Sequence, residues 1–60
     1  MKTIKTSMTV IEIAHKTRAE KIEILESIEY EFDHASEYFY KTARAEALRN
    51  LYETVQRFME

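Results

Sequence analysis

The chain contains neither glycine nor proline in its 60 residues, and this absence limits its fold more than any other feature. Glycine supplies the left-handed backbone of tight turns and helix ends, and proline presets the backbone at turn corners. An all-β fold or a glycine-rich phosphate-binding loop is therefore not expected. Hydrophobic residues make up 45% of the chain and charged residues 33%, a balance typical of amphipathic helices. The sequence predicts an all-α protein.

The length of the chain allows one domain with a small core. A folded chain of this size buries only about 60% of the surface that its unfolded form exposes. Because cysteine is also absent, disulfides and zinc–thiolate sites cannot add stability. Small domains without such links gain core by oligomerising. We therefore expect a single helical domain over residues 1–60 that forms a homodimer.

Two capping boxes compete for the start of the first helix. In each, a threonine hydroxyl can accept from the amide three residues on, and a glutamate can reach back. These are Thr9 with Glu12 and Thr17 with Glu20. The apolar spacing favours the first, so residues 1–8 are predicted to be frayed or extended and a helix to run over about 9–33. Its predicted buried stripe is Val10, Ala14, Thr17, Lys21, Ile24, Leu25, Ile28 and Phe32.

A turn is predicted at about residues 33–36, where Asp33 and Ser36 are good N-cap residues and the apolar phase changes. A second helix should follow over about 37–59. Its predicted stripe is Tyr40, Ala43, Ala47, Leu48, Leu51, Val55 and Phe58. Two helices of equal length favour an antiparallel hairpin, and two hairpins can pair as a four-helix bundle. One unbroken coiled-coil helix is the alternative, but Arg18 and Glu29 would fall at its seam.

Charge is unevenly distributed along the chain. Residues 1–19 hold four bases and one acid, which gives +3, whereas residues 20–37 hold seven acids and one base, which gives −6. Residues 38–60 hold four bases and three acids, which gives +1. These segments can attract one another within a hairpin or between chains. Because no basic face dominates, binding to nucleic acid is not expected.

An alternative fold makes residues 3–11 a strand, because this segment is rich in β-branched residues. A strand followed by two helices is the order found in ribbon-helix-helix repressors. Lys5, Ser7 and Thr9 would share one strand face and enter the major groove of DNA. Residues 36–39 resemble the start of that family's second helix. The inter-helix glycine of the family is missing, and the middle of this chain is acidic.

Two Glu-x-x-His pairs, Glu12 with His15 and Glu31 with His34, are the only metal-like spacings. In four-helix bundles such pairs, one on each of two helices, can ligate metals. Here both pairs would lie on one helix about 28 Å apart, and they project away from the apolar stripe. No serine has a recognisable nucleophile context. We predict no catalytic, cofactor-binding or metal-ligating residues, and no enzyme activity.

Aromatic residues crowd the predicted helix junction. Five of the seven in the chain fall within eleven residues: Tyr30, Phe32, Tyr38, Phe39 and Tyr40. No single helix face can bury all five, and exposed tyrosines beside acids are typical of protein-binding surfaces. The predicted partner-binding residues are Glu23, Glu26, Tyr30, Asp33, Glu37 and Tyr38. The alternative is that these rings fill the hairpin end or the dimer seam.

The whole chain, from residues 1–4 (MKTI) to residues 57–60 (RFME), resembles the small early proteins of lambdoid phages. It is similar in particular to those encoded between the exonuclease and excisionase genes. The resemblance implies a non-catalytic protein that adjusts host or phage development through contacts with an unidentified protein. The first residues lack a signal-peptide core, and no uncharged run approaches about 18 residues. We therefore expect no membrane association and a location in the cytoplasm, which is the host cytoplasm for a phage protein.

Overall fold

A computed structural model describes residues 6–59, and this part of the chain is helical without any strand. The all-α prediction is therefore confirmed. None of its helices is long and apolar enough to cross a membrane. In chain order the elements are α1 (Val10–Ala14), α2 (Arg18–Asp33), a 3-10 helix (Glu37–Lys41) and α3 (Ala43–Arg57).

Hydroxyl residues with extended backbone begin every helix, and this explains how the chain turns without glycine. The three α-helices end at residues in or near the right-handed region, for example His15 with φ −84° and His34 with φ −103°. No described residue has a positive φ. The chain thus changes direction at extended N-cap residues, and the hydroxyl caps each α-helix, whereas Ser36 makes no side-chain cap bond. These N-caps are Thr9, Thr17, Ser36 and Thr42.

The prediction of one continuous helix over about 9–33 is wrong, because both threonines act as N-caps, although only Thr17 and Glu20 form a complete capping box. The Thr9 hydroxyl accepts from the Glu12 amide at 3.2 Å and starts α1. Thr17 then ends this run and starts α2: its hydroxyl accepts from the Glu20 amide, while its own amide donates to the Glu20 carboxylate at 2.9 Å. An apolar stripe can continue across such a break, so its periodicity did not reveal the interruption.

The predicted break at residues 33–36 is present, but the second helix is divided as well. The 3-10 helix occupies the first turn, and α3 begins only after Thr42. The Thr42 hydroxyl accepts from the Ala45 amide at 3.2 Å and donates to the Phe39 carbonyl at 2.7 Å. One side chain therefore caps α3 and closes the 3-10 turn.

α2 and α3 pack antiparallel, as predicted. At one end of the pair the Lys21 ammonium donates to the Phe58 carbonyl at 3.2 Å. At the other end Arg44 and Glu31 form an ion pair with an N–O distance of 2.8 Å. The first residues of α2 thus lie beside the last residues of α3. The principal-axis extents are 33 × 20 × 19 Å.

The core lies between α2 and α3 and is closed by α1. Its buried members are Ile13, Ile24, Ile28, Leu48, Leu51 and Val55. The prediction was wrong for the stripe members that are exposed, which are Val10, Ala14, Thr17, Tyr40, Ala43 and Phe58. The place of Ala43 is taken by fully buried Ala45. Because a break precedes α2 and another precedes α3, the buried face of each helix is rotated relative to the face expected for one continuous helix. On α1 this rotation places Ile13 in the core.

The amino-terminal segment is described from residue 6. Thr6 and Ser7 form a turn and Met8 packs against the core, so this part of the segment is not frayed. Because Val10 and Ile11 are helical, the alternative strand over residues 3–11 is wrong from residue 6 onward. Its first three residues, including Lys5, lie outside the described part of the chain.

Candidate protein-binding surface

Four of the six predicted partner-binding residues lie on one side of α2. Glu23, Glu26, Tyr30 and Asp33 are spaced by three or four residues, which keeps them on neighbouring turns of one helix face, and all four are exposed. We call these residues, together with Glu37 and Tyr38, the acidic aromatic face. Their charges are all negative, so the potential here attracts cations.

Glu37 and Tyr38 come from the 3-10 helix that follows α2, and both are exposed. Tyr38 has 82% of its surface exposed, the largest value among the exposed large apolar and aromatic side chains. Its ring stacks on no other ring in the described chain. A tyrosine held by helical backbone with its ring in solvent loses little entropy when it binds, because it has few rotatable bonds.

Tyr30 is supported by His34, a contact that the sequence analysis missed. The two rings stack with centroids 4.0 Å apart and planes 25° from parallel. Nδ1 of His34 lies 3.0 Å from the Tyr30 carbonyl oxygen, a distance at which the Nδ1–H tautomer donates. The i, i+4 spacing of these residues could have revealed the pair. His34 therefore fixes the orientation of the Tyr30 ring while 44% of Tyr30 stays exposed.

Three other rings close the end of the hairpin. Phe39 packs edge-on against Phe32, and Tyr40 stacks on Phe32 with centroids 5.6 Å apart and planes 19° from parallel. The Tyr40 hydroxyl also donates to the Phe32 carbonyl at 2.6 Å. The predicted packing of aromatic rings at the hairpin end is therefore present for Phe32, Phe39 and Tyr40, although 44% of Tyr40 stays exposed. Tyr30 and Tyr38 are exposed as well, and their role in binding stays a prediction.

An open groove of about 390 Å³ lies between α2 and α3 beside the hairpin end. It shares Asp33 with the acidic aromatic face and reaches across to α3. The sequence analysis missed its α3 wall, although Tyr52 follows Leu48 by four residues and so flanks the second stripe. The lining residues are Ile28, Glu29, Phe32, Asp33, Tyr40, Arg49 and Tyr52.

Glu29 on α2 and Tyr52 on α3 both line the groove and interact with each other. Burial raises the pKa of the Tyr52 phenol above its ordinary value of 10.0, and the nearby Glu29 carboxylate raises this pKa further by charge and by hydrogen bonding. Arg49 forms no ion pair or hydrogen bond with another residue of the range 6–59 that the structure records. The groove thus combines aromatic faces with two carboxylates and one unpaired guanidinium.

The two Glu-x-x-His pairs are far from any arrangement that binds a metal, and one pair has other partners. Glu31 is held by Arg44, and Nδ1 of His34 contacts the Tyr30 carbonyl. Glu12 and His15 lie at the exposed end of α1. Within residues 6–59 no three histidine or acidic side chains are grouped as metal ligands would be.

Comparisons with protein-family models, with curated proteins and with solved structures find no match to this chain. The resemblance to small early proteins of lambdoid phages therefore stays a prediction. The functional argument depends on the geometry of the surface alone.

Proposed function

We propose that the protein is a non-enzymatic binding protein whose acidic aromatic face engages the basic surface of another protein. The observation that carries this proposal is the exposure of Tyr38 and Tyr30 among carboxylates. Tyr40 is as exposed as Tyr30, but its hydroxyl is tied to the hairpin end by the hydrogen bond to the Phe32 carbonyl. The hydroxyls of Tyr30 and Tyr38 have no such partner within residues 6–59. Tyrosines of this kind are frequent binding hot spots.

Charge supports a basic partner. α2 carries six acids against Arg18 and Lys21, and Glu31 is paired with Arg44. Like charges on one face repel one another, and a cationic partner relieves this repulsion while it speeds association. The resemblance to lambdoid phage proteins adds the setting: a host cytoplasm, and a partner that acts in host or phage development.

A pull-down from cell extract tests this function. The bait carries Tyr30→Ala and Tyr38→Ala, and the matched control is Phe58→Ala, which also removes a partly exposed aromatic ring but lies at the opposite end of the hairpin. We expect the double variant to lose at least tenfold of the partner recovered by the unmodified chain, because hot-spot truncations cost about 2 kcal/mol or more each. Equal recovery with the double variant would contradict the proposal.

We further propose that the chain forms a homodimer, in which two hairpins make a four-helix bundle. Val10 and Ile11 support this proposal, since they are adjacent in α1 and 60% and 70% exposed. Sedimentation equilibrium at micromolar concentration should give twice the 7.2 kDa chain mass. Ile11→Ser should shift the chain towards monomer, whereas Glu12→Gln next to it should not. A monomeric unmodified chain would refute the dimer and leave the partner-binding proposal unaffected.

A further inference from the structure

The groove between α2 and α3 has walls suited to a flat cation. Three aromatic side chains line it, namely Phe32, Tyr40 and Tyr52. Phe32 and Tyr40 stack on each other with centroids 5.6 Å apart, so a ligand can contact only their outward surfaces. The faces of aromatic rings carry negative potential, so cations bind over them. Guanidinium groups use such faces most often, because they are planar and weakly hydrated.

Carboxylates stand at the same groove. Glu29 and Asp33 lie one helical turn apart on α2 and both line it. The Asp33 carboxylate has no recorded ion pair or hydrogen bond with any other described residue, so an incoming donor can bind it without first displacing a partner. A carboxylate beside a stacking surface pairs with a guanidinium in a fixed, forked geometry.

We propose that this groove binds the side chain of an arginine that belongs to the basic partner. The inference rests on the proposed function, because the groove continues from the acidic aromatic face through Asp33. Its volume of about 390 Å³ lies at the small end of ligand sites, which suits one long side chain. The guanidinium packs against the outward surfaces of the aromatic rings that line the groove, while Asp33 and Glu29 accept its hydrogen bonds.

Arg49 is the chain's own competitor for this position. It lines the groove from α3 and has no recorded partner within residues 6–59. Its guanidinium lowers the net negative charge at the site and repels a second cation. Removal of the Arg49 charge should therefore strengthen binding of an arginine. The same change would weaken binding at a site built for an anion, so this position separates the two possibilities.

Titration of the isotope-labelled full chain with N-acetyl-arginine-methylamide, followed by NMR, tests the proposal. The ring signals of Phe32, Tyr40 and Tyr52 should shift and saturate with a dissociation constant on the order of millimolar, which is typical for so small a ligand. The neutral, nearly isosteric citrulline derivative should produce no saturable shift. The lysine derivative should bind more weakly, because an ammonium cannot fork or stack.

Variants at exposed positions keep the fold intact and sharpen the test. Asp33→Asn should weaken binding of the arginine derivative by roughly fivefold, and Arg49→Gln should strengthen it by two- to fivefold. The matched control Glu12→Gln, which makes the same change of charge away from the groove, should have no effect. Weaker binding of the arginine derivative in Arg49→Gln would contradict the competition between Arg49 and the incoming guanidinium and would overturn the proposal.

Equal shifts with the citrulline derivative, or no saturable shift at the groove, would also overturn it. The titration needs no partner protein, so its failure is distinct from failure of the proposed function. If the arginine derivative binds while the Tyr30→Ala, Tyr38→Ala chain recovers as much partner as the unmodified chain, the groove is an arginine site and the proposed binding role of the acidic aromatic face is contradicted. If the arginine derivative does not bind while the double variant loses the partner, the binding role of the acidic aromatic face is supported and the groove proposal is contradicted.

Discussion

The Tyr40 hydroxyl donates a 2.6 Å hydrogen bond to the carbonyl oxygen of Phe32. Phe32 lies in the last turn of α2, where carbonyl groups lack the usual amide partner four residues on, and its carbonyl also accepts from the Ala35 amide at 3.3 Å. Many helices satisfy these carbonyls through a left-handed glycine cap, which this chain lacks. Here a tyrosine eight residues away supplies one donor from the 3-10 helix. The bond links the end of α2 to the segment that carries Tyr38.

Tyr40→Phe removes this donor and keeps the ring stacked on Phe32. We expect the free energy of unfolding to fall by about 1 kcal/mol, the usual net contribution of a hydrogen bond. Chemical denaturation measures the change. Tyr38→Phe is the matched control, because its exposed hydroxyl has no recorded partner in the described chain, and it should stay within about 0.5 kcal/mol. Equal losses in the two variants would contradict this role of Tyr40.

Thr17 separates α1 from α2, and its hydroxyl is the N-cap of the longer helix. Thr17→Ala should lower the free energy of unfolding by about 1 kcal/mol, as N-cap deletions usually do. Thr17→Ser retains the hydroxyl and should lose much less. Thermal melts followed by circular dichroism compare the two. If alanine and serine proved equivalent, the capping box would not define the start of α2.

Glu20 completes this capping box and makes it depend on pH. The backbone hydrogen bond from Thr17 lowers the pKa of Glu20 below its ordinary value of 4.5, and the Thr17 side chain and Lys16 lower it further. A lowered folded-state pKa stabilises the fold above about pH 4.5, and this stabilisation is lost as the pH falls through the folded value. The stability difference between the unmodified chain and Glu20→Gln should therefore shrink from pH 6 to pH 3. A difference independent of pH would contradict the box.

Tyr52 should titrate late in alkaline solution. Its pKa is raised above 10.0, first by burial and then by Glu29. The fold therefore favours the neutral phenol, and its stabilisation is present below pH 10 and lost as the pH rises. Glu29→Gln should lower the pKa of Tyr52 without restoring the ordinary value, because burial remains. The carbon shift of the Tyr52 phenol follows this change, and Glu53→Gln is the charge-matched control. An unchanged pKa of Tyr52 in Glu29→Gln would contradict the influence of Glu29 on this phenol.

The sequence predicted the features that depend on local pattern. The helical class, the break at residues 33–36 and the burial of Ile24, Ile28, Leu48 and Val55 follow from spacing and N-cap chemistry. The division at Thr17 was visible as a second capping box, but the apolar spacing favoured one helix. The capping box at Thr17 and the apolar spacing are local signals of similar strength. Only the packing of Ile13 in the core, which the sequence does not show, decides between them.

Features that join distant parts of the chain were not predictable. The groove depends on the distance between Phe32 on α2 and Tyr52 on α3, and no local pattern in the sequence encodes this distance. The stacking of Tyr30 on His34 was accessible from their spacing and was overlooked. The six residues of the acidic aromatic face were chosen for exposure and charge, and the structure places all six at the surface. Their binding role stays a prediction.

Site-specific photo-crosslinking in cell extract tests the central claim most directly. The crosslinker p-benzoylphenylalanine replaces Tyr38 in one chain and Gln56, an exposed residue of α3, in a control chain. The account predicts one crosslinked partner at position 38, little or none at position 56, and a severalfold loss of yield when Glu26→Lys and Glu37→Lys are added. An equal yield at both positions, or a yield that the charge reversal leaves unchanged, would contradict it.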